Sequence, residues 1–217
     1  MLRDLAEKIA RQPAPRGTGR YHYVRTSGSY LHTARVLGGT TTGVVEQSER
    51  EQWIAPDGSG RLVVTRGGES VQPTGDYPPG GLAAAFLTAA DPDALTARLR
   101  DRNPNGSTST AVKVFTGVWN NQVVPGALQR LLLLDLARHS DLYVDNSFRG
   151  AGVAVGHLDP EEPFQRLLVF DRLTGSLLGA ETTALDGAGV PVPTPAVISR
   201  TEWLLSGHTT TTTTPPT

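Results

Sequence analysis

The spacing of hydrophobic positions changes twice along the chain, from short runs of period two to helical spacing and back. Ahead of the first run, Leu2, Leu5, Ile9 and Ala10 recur at helical spacing, which predicts a short amphipathic helix over residues 2–11, ended by Pro13 and Pro15. From Arg20 to Val36 the pattern alternates. Tyr21, Tyr23 and Arg25 fall on one face and His22 and Val24 on the other, and the tyrosine, valine and threonine content suits a strand. Gly38-Gly39 turns the chain into a second long strand, Thr41 to Ala55, which carries Val45 and Trp53 beside Glu46, Glu49, Arg50 and Glu51, so both of its faces are fairly polar. Pro56-Asp57-Gly58-Ser59-Gly60 is a turn, and Arg61 to Arg66 returns as the third strand of a meander.

In the middle the period lengthens. Asp91-Pro92 places an N-cap and a proline at the start of a helix carrying Leu95 and Leu99 and ending at Asn103-Pro104. Ser109 or Thr110 caps a second helix with the stripe Val112, Phe115, Val118 and Trp119, and Pro125-Gly126 opens a third that is apolar nearly all round. After His139, strands are predicted at Leu142–Val144, Gly152–Val155, Phe164–Phe170, Leu177–Thr183 and Ala196–Leu205, with turns at Arg149-Gly150, Asp159-Pro160 and Thr174-Gly175. The predicted fold is α+β: a strongly curved antiparallel sheet of about eight strands, an unclosed half-barrel, wrapping a helical insertion at about 92–138. Residues 1–207 form one domain. Residues 208–217, with six consecutive threonines and then Pro-Pro-Thr, have no apolar side chain to bury and are expected to be a disordered tail.

Composition narrows the chemistry. The 217 residues include 24 Gly and 16 Pro, which favours short strands and turns over a helical bundle, and the net charge of −1 offers no surface for nucleic acid. The absence of cysteine removes disulfides, thiolate nucleophiles and thiolate metal sites together. The longest apolar stretch, around Leu131 to Leu134, is far short of the roughly 20 residues a membrane span requires. Met1-Leu2-Arg3-Asp4 does not begin a signal peptide, so the chain reads either as cytoplasmic or as a piece excised from downstream of its targeting and anchoring segments.

No catalytic motif stands out. Asp57-Gly58-Ser59-Gly60 is a hairpin turn rather than a nucleophile elbow, and Gly67-Gly68 and Pro78-Pro79-Gly80-Gly81 are loops. The five histidines, His22, His32, His139, His157 and His208, share no metal-binding spacing, Glu161 and Glu162 read as solvated, and no metal or cofactor is expected. A buried carboxylate or histidine in the concavity would permit a hydrolase or isomerase, with nothing to single one out. The aromatic residues are more suggestive: Tyr21, Tyr23 and Tyr30 on the first strand, Trp53 on the second, Phe115 and Trp119 on the second inserted helix, and Trp203 on the last strand. They either form the core or line a cavity between sheet and helices suited to an acyl chain or another apolar ligand.

Several stretches together carry a resemblance. Gly19-Arg20-Tyr21-His22-Tyr23-Val24-Arg25-Thr26, Trp53 to Arg61, Asp91-Pro92-Asp93-Ala94-Leu95, Ala127 to Leu131 leading to Gly150 to Val155, and Leu168-Val169-Phe170-Asp171 with Thr174-Gly175 and Leu177-Leu178-Gly179 look like a family of actinobacterial membrane proteins of unassigned function that often accompany extracytoplasmic-function sigma factors. The match runs from about residue 19 to about residue 205. It departs from the family at the polar insertion Ser107 to Thr110 and at His139-Ser140-Asp141, where relatives tend to have Pro-Gly. The strand–helix–strand order is also similar to LolA-like and RseB-like lipoprotein-carrier and sigma-regulator half-barrels. The resemblance implies a non-enzymatic extracytoplasmic sensor or binding domain of a membrane-anchored regulator, holding lipid or a protein segment on its concave face. Its implied partners are a lipid or apolar ligand and a protein of a sigma-factor pathway, with membrane attachment only through an upstream anchor. It transfers no catalytic residue. A purely structural interaction domain would instead show a flat apolar patch.

Overall fold

The structure is a computed structural model that describes residues 1–35, 39–83, 86–145, 152–159 and 162–217. The expected end of the first strand at Val36, the turn at Arg149-Gly150, and Gly38, Pro160 and Glu161 lie outside these residues. Four helices, α1 (Leu2–Ile9), α2 (Pro92–Arg102), α3 (Thr108–Asn121) and α4 (Gly126–Leu136), accompany ten strands. The strands are β1 (Arg16–Gly17), β2 (Tyr21–Arg35), β3 (Thr41–Ile54), β4 (Gly60–Arg66), β5 (Glu69–Tyr77), β6 (Tyr143–Asp145), β7 (Gly152–Leu158), β8 (Phe164–Asp171), β9 (Leu177–Ala184) and β10 (Ala196–Thr209). They form one unclosed sheet in the order β5-β4-β3-β2-β10-β9-β8-β7-β6, antiparallel throughout except where β1 runs parallel to β10.

Local chemistry sets the boundaries. Asp91 caps α2 by accepting from Asp93 N and Ala94 N at 3.0 and 2.9 Å, with Pro92 at the first helical position. Ser107 caps α3 through Thr110 N at 3.1 Å, two residues before the cap expected from sequence. In the β3–β4 turn Asp57 Oδ1 accepts from Ser59 N, and Gly58 takes φ 77°, a conformation that favours glycine.

The core lies between the helices and one half of the sheet. Phe115 stacks on Trp119 at 4.4 Å between centroids and meets Phe170 edge-on at 5.9 Å, with Val112, Leu132, Leu136, Val155 and Leu168 buried around them. The strand residues of this cluster come from β7, β8, β9 and β10, and none comes from β2 to β5. α1 lies against α4: Leu5, Ala6 and Ile9 are buried, and the Gln129 side chain donates to Gly175 O at 2.7 Å in the β8–β9 turn.

Two strands were not anticipated. β5 follows the Gly67-Gly68 turn, and its polar sequence, with Pro73 inside it, carries no alternating apolar signal. β1 is two residues long. The C-terminal residues, expected to be disordered, are placed against the sheet. β10 continues to Thr209, Trp53 Nε1 donates to Thr214 O at 3.2 Å, and Pro216 sits so close to Gly207 that a Cβ there would come within 2.7 Å of its ring.

The close seating of α1 on α4 gives a direct test. A Cβ at Gly126 would fall 2.5 Å from Ile9 O, so Gly126→Ala should displace α1 and destabilise the protein by about 1–3 kcal/mol. Urea unfolding would show this as a lower midpoint, and an unchanged midpoint would mean that α1 is not seated as described.

A polar trough on the helix-bearing face

Alternation along β2 sends His22, Val24, Thr26, Tyr30 and His32 to the face that carries the helices. Strand register extends this face across the sheet in rows: Val24 lies beside Gln52 and then Leu62, and Thr26 beside Arg50 and then Val64. The C-terminal end of α3 closes down on this surface at two points. Gln52 Nε2 donates to Asn120 O, and His22 Nδ1 accepts from Val123 N at 3.1 Å. Beyond α3 the face stays open. A cavity of about 350 Å³ lies over β2 to β5, reaching Gln72 and Pro73 on β5 and walled at one end by Asn120. A smaller one of about 160 Å³ shares Tyr30 and Asn120 and continues under α3 toward Arg166 and Trp203.

The trough is mixed in character, with Val24, Leu62, Val64 and Pro73 set among hydroxyl, amide, imidazole and guanidinium groups. Arg50 Nε, His32 Nε2 and Gln52 Oε1 are buried and find no hydrogen-bond partner among the described residues. Arg66 is balanced by Glu46 at 3.1 Å, but no described carboxylate pairs with Arg50. Burial pulls the Arg50 guanidinium below its ordinary pKa, and the nearby Tyr30 and Tyr77 hydroxyls oppose this only weakly. The opposite face of the same strands is charge-matched. Arg25 pairs with Glu49 at 2.8 Å and Glu51 at 3.8 Å, Arg61 pairs with Asp76 at 3.2 Å, and Tyr23 Oη donates to Glu51 at 2.9 Å.

The seven aromatic residues singled out from sequence are divided among three places. Phe115 and Trp119 are in the core. Tyr30, whose hydroxyl meets Thr201 Oγ1 at 2.9 Å, and Trp203, whose buried Nε1 has no partner among the described residues, open onto the helix-side cavities. Tyr23 and Trp53 pack together at 4.9 Å on the opposite face, beneath the C-terminal segment, and Tyr21 lies under the Arg20 guanidinium at 5.4 Å. From sequence, Arg50 was read only as part of a polar strand and His32 only as an imidazole without metal spacing, and Gln52 was not singled out. The signal was present in β3, whose inward positions Ser48, Arg50 and Gln52 are all polar while its outward positions Glu49 and Glu51 already have Arg25 as partner.

The remaining titratable groups with shifted pKa lie outside the trough. His22 packs on Phe86 at 4.2 Å and on His208 at 4.6 Å, and burial, reinforced by His208, lowers its pKa to about 4. Asp141 accepts from Thr108 Oγ1 at 2.6 Å, which holds its carboxyl below the usual range, and His157 Nδ1 lies 3.3 Å from its other oxygen. Among the described residues no group of three or more His, Asp or Glu side chains is arranged to hold a metal ion, and no helix is long and apolar enough to cross a membrane.

No protein-family model matches the chain, and no curated protein matches it. Among solved structures, MucB in complex with MucA(peri) aligns with 95% of this chain and 55% of its own at 14% identity and a TM-score of 0.32. The MucA/MucB complex of Pseudomonas aeruginosa aligns at 15% identity and a TM-score of 0.32, covering 95% of this chain and 56% of that one. MucB alone gives 14%, 0.33, 99% and 59% respectively. The chain thus spans little more than half the length of these solved chains, and a likeness this loose assigns no partner or activity.

Two predictions follow from the geometry. Above pH 6.5, His22 is neutral in both folded and unfolded states. As pH falls from 6.5 toward 4 the unfolded chain takes up a proton that the folded one resists, so stability declines across that window. Urea midpoints measured from pH 7 to pH 4 should fall more steeply for the wild type than for His22→Gln, and parallel curves would refute the assignment. In the trough, Arg50→Met removes a partly desolvated charge that has no counter-ion among the described residues, and should stabilise the fold by about 1 kcal/mol, read as a raised Tm. A lowered Tm would show that the guanidinium is compensated in the folded protein.

Proposed function

We propose that this protein is a non-enzymatic binding domain that takes an extended segment of a partner protein into the trough over β2 to β5. One observation carries the reading: the face that the helices leave uncovered is lined by buried hydrogen-bonding atoms, Arg50 Nε, His32 Nε2 and Gln52 Oε1, without partners among the described residues. Such atoms are costly to bury alone and gain most from a ligand that brings both donors and acceptors, as a peptide backbone does. An acyl chain laid in the same place would exclude water from all three and return nothing to them. The further reading, that the domain lies outside the cell membrane, belongs to an anchored regulator and acts in a sigma-factor pathway, rests on the sequence resemblance.

Selection from a displayed library of random decapeptides, followed by amide chemical-shift mapping of the enriched peptides, tests this. Shifts concentrated in β2 to β5 and at Asn120 are expected. The absence of any enriched peptide, or a lipid retained in native mass spectrometry and displaced by Val64→Arg, would replace the peptide reading with a lipid one.

A further inference from the structure

Resting on the reading of the trough as a peptide site, we infer that it selects an acidic residue, with the carboxylate seated on the Arg50 guanidinium. Charge complementarity inside the trough singles out this occupant. Two arginines reach the cavity. Arg66 already holds Glu46 at 3.1 Å, so its charge is met within the fold. The Nε atoms of both arginines are buried without an acceptor among the described residues, but only Arg50 also has no described carboxylate partner. Besides Arg66, the polar groups of the lining are three amides, a histidine and the hydroxyls of Thr26, Tyr30 and Ser48, so no acidic side chain in the lining competes for Arg50.

The neighbouring groups favour a peptide carboxylate over a bare oxyanion. Gln52 lies two residues from Arg50 along β3 and so faces the same way. Its Nε2 is committed to Asn120 O, which leaves Oε1 as a buried acceptor without a donor. A fully deprotonated oxyanion such as sulfate carries only acceptors and would leave Gln52 Oε1 unmet. An Asp or Glu within a peptide brings a carboxylate for Arg50 and a backbone N–H for Gln52, satisfying both orphaned atoms at the spacing of one residue pair. Leu62 and Val64, in the same rows on β4, supply an apolar strip for the flanking side chains.

The decapeptide selection, repeated on Arg50→Gln, Arg50→Lys and the outer-face control Arg61→Gln, tests the inference. Wild-type protein should enrich Asp or Glu at one fixed position. Affinity for those peptides should fall at least tenfold in Arg50→Gln, partly recover in Arg50→Lys, stay unchanged in Arg61→Gln, and weaken with added salt. The same peptides with Asn or Gln at the fixed position should lose affinity for the wild type but bind Arg50→Gln as well as the acidic versions do. Peptides that map to the trough with no acidic preference would overturn the inference and leave the binding reading standing. Failure to enrich any trough-binding peptide would overturn both. Inorganic phosphate that displaces the peptides at millimolar concentration, and fails to do so in Arg50→Gln, would reassign the site to oxyanions. Thermal melts of each variant separate lost binding from lost folding.

Discussion

A sheet wider than its helices is the constraint from which the architecture follows. The ten strands among the described residues present more inner face than the four helices cover, and the strand residues of the core they build come from β7 to β10. On the uncovered half polar side chains enter the inner face beside Val24, Leu62 and Val64, so its character changes partway across the sheet. The change falls at β2, where the α3 end lands. On one side of it lie Trp203, Leu168 and Phe170, and on the other Gln52, Arg50 and Ser48. The trough is therefore the necessary complement of the core, and its polarity follows from the same shortage of helix.

Polarity alone would need only solvated side chains, such as those on the outer face. There Arg25, Arg61 and Tyr23 each meet a carboxylate. On the inner face more of the polar atoms are sheltered without a partner among the described residues, Arg50 Nε, His32 Nε2, Gln52 Oε1 and Arg66 Nε, against Arg25 Nε on the outer face. Unpaired buried groups lower stability, and natural proteins concentrate such departures at functional sites. The two faces of the same strands thus differ in their charge balance, with Arg50 on the inner face lacking a carboxylate partner among the described residues.

Most of the architecture was legible in the residues. The helices announce themselves through Asp91-Pro92 and Pro125-Gly126, and the strands from Tyr143 to Ala196 onward through period-two apolar runs. β5 was not legible because Gln72-Pro73-Thr74 pairs with β4 partly through the Thr74 hydroxyl, which accepts from Val64 N at 2.8 Å, and no side-chain periodicity reports that. The C-terminal threonines were read by composition, which cannot register a backbone carbonyl meeting Trp53. The site was hardest. Aromatic content pointed to one apolar cavity, yet parity puts Tyr23 and Trp53 on one face of β2 and β3, and Tyr30 on the other. A buried, unpaired arginine leaves no mark in sequence, because its neighbours across the strands are known only once the register is known.

The end of α3 joins the trough to the core. Trp119 is stacked on Phe115 within the core, and the next residue, Asn120, receives the Gln52 side chain. Three residues further on, Val123 N is held by His22 on β2. The open half of the sheet and the packed half therefore share direct contacts through Gln52 and His22, one of them a single residue from the aromatic stack, and closely packed interiors accommodate displacement at such points poorly.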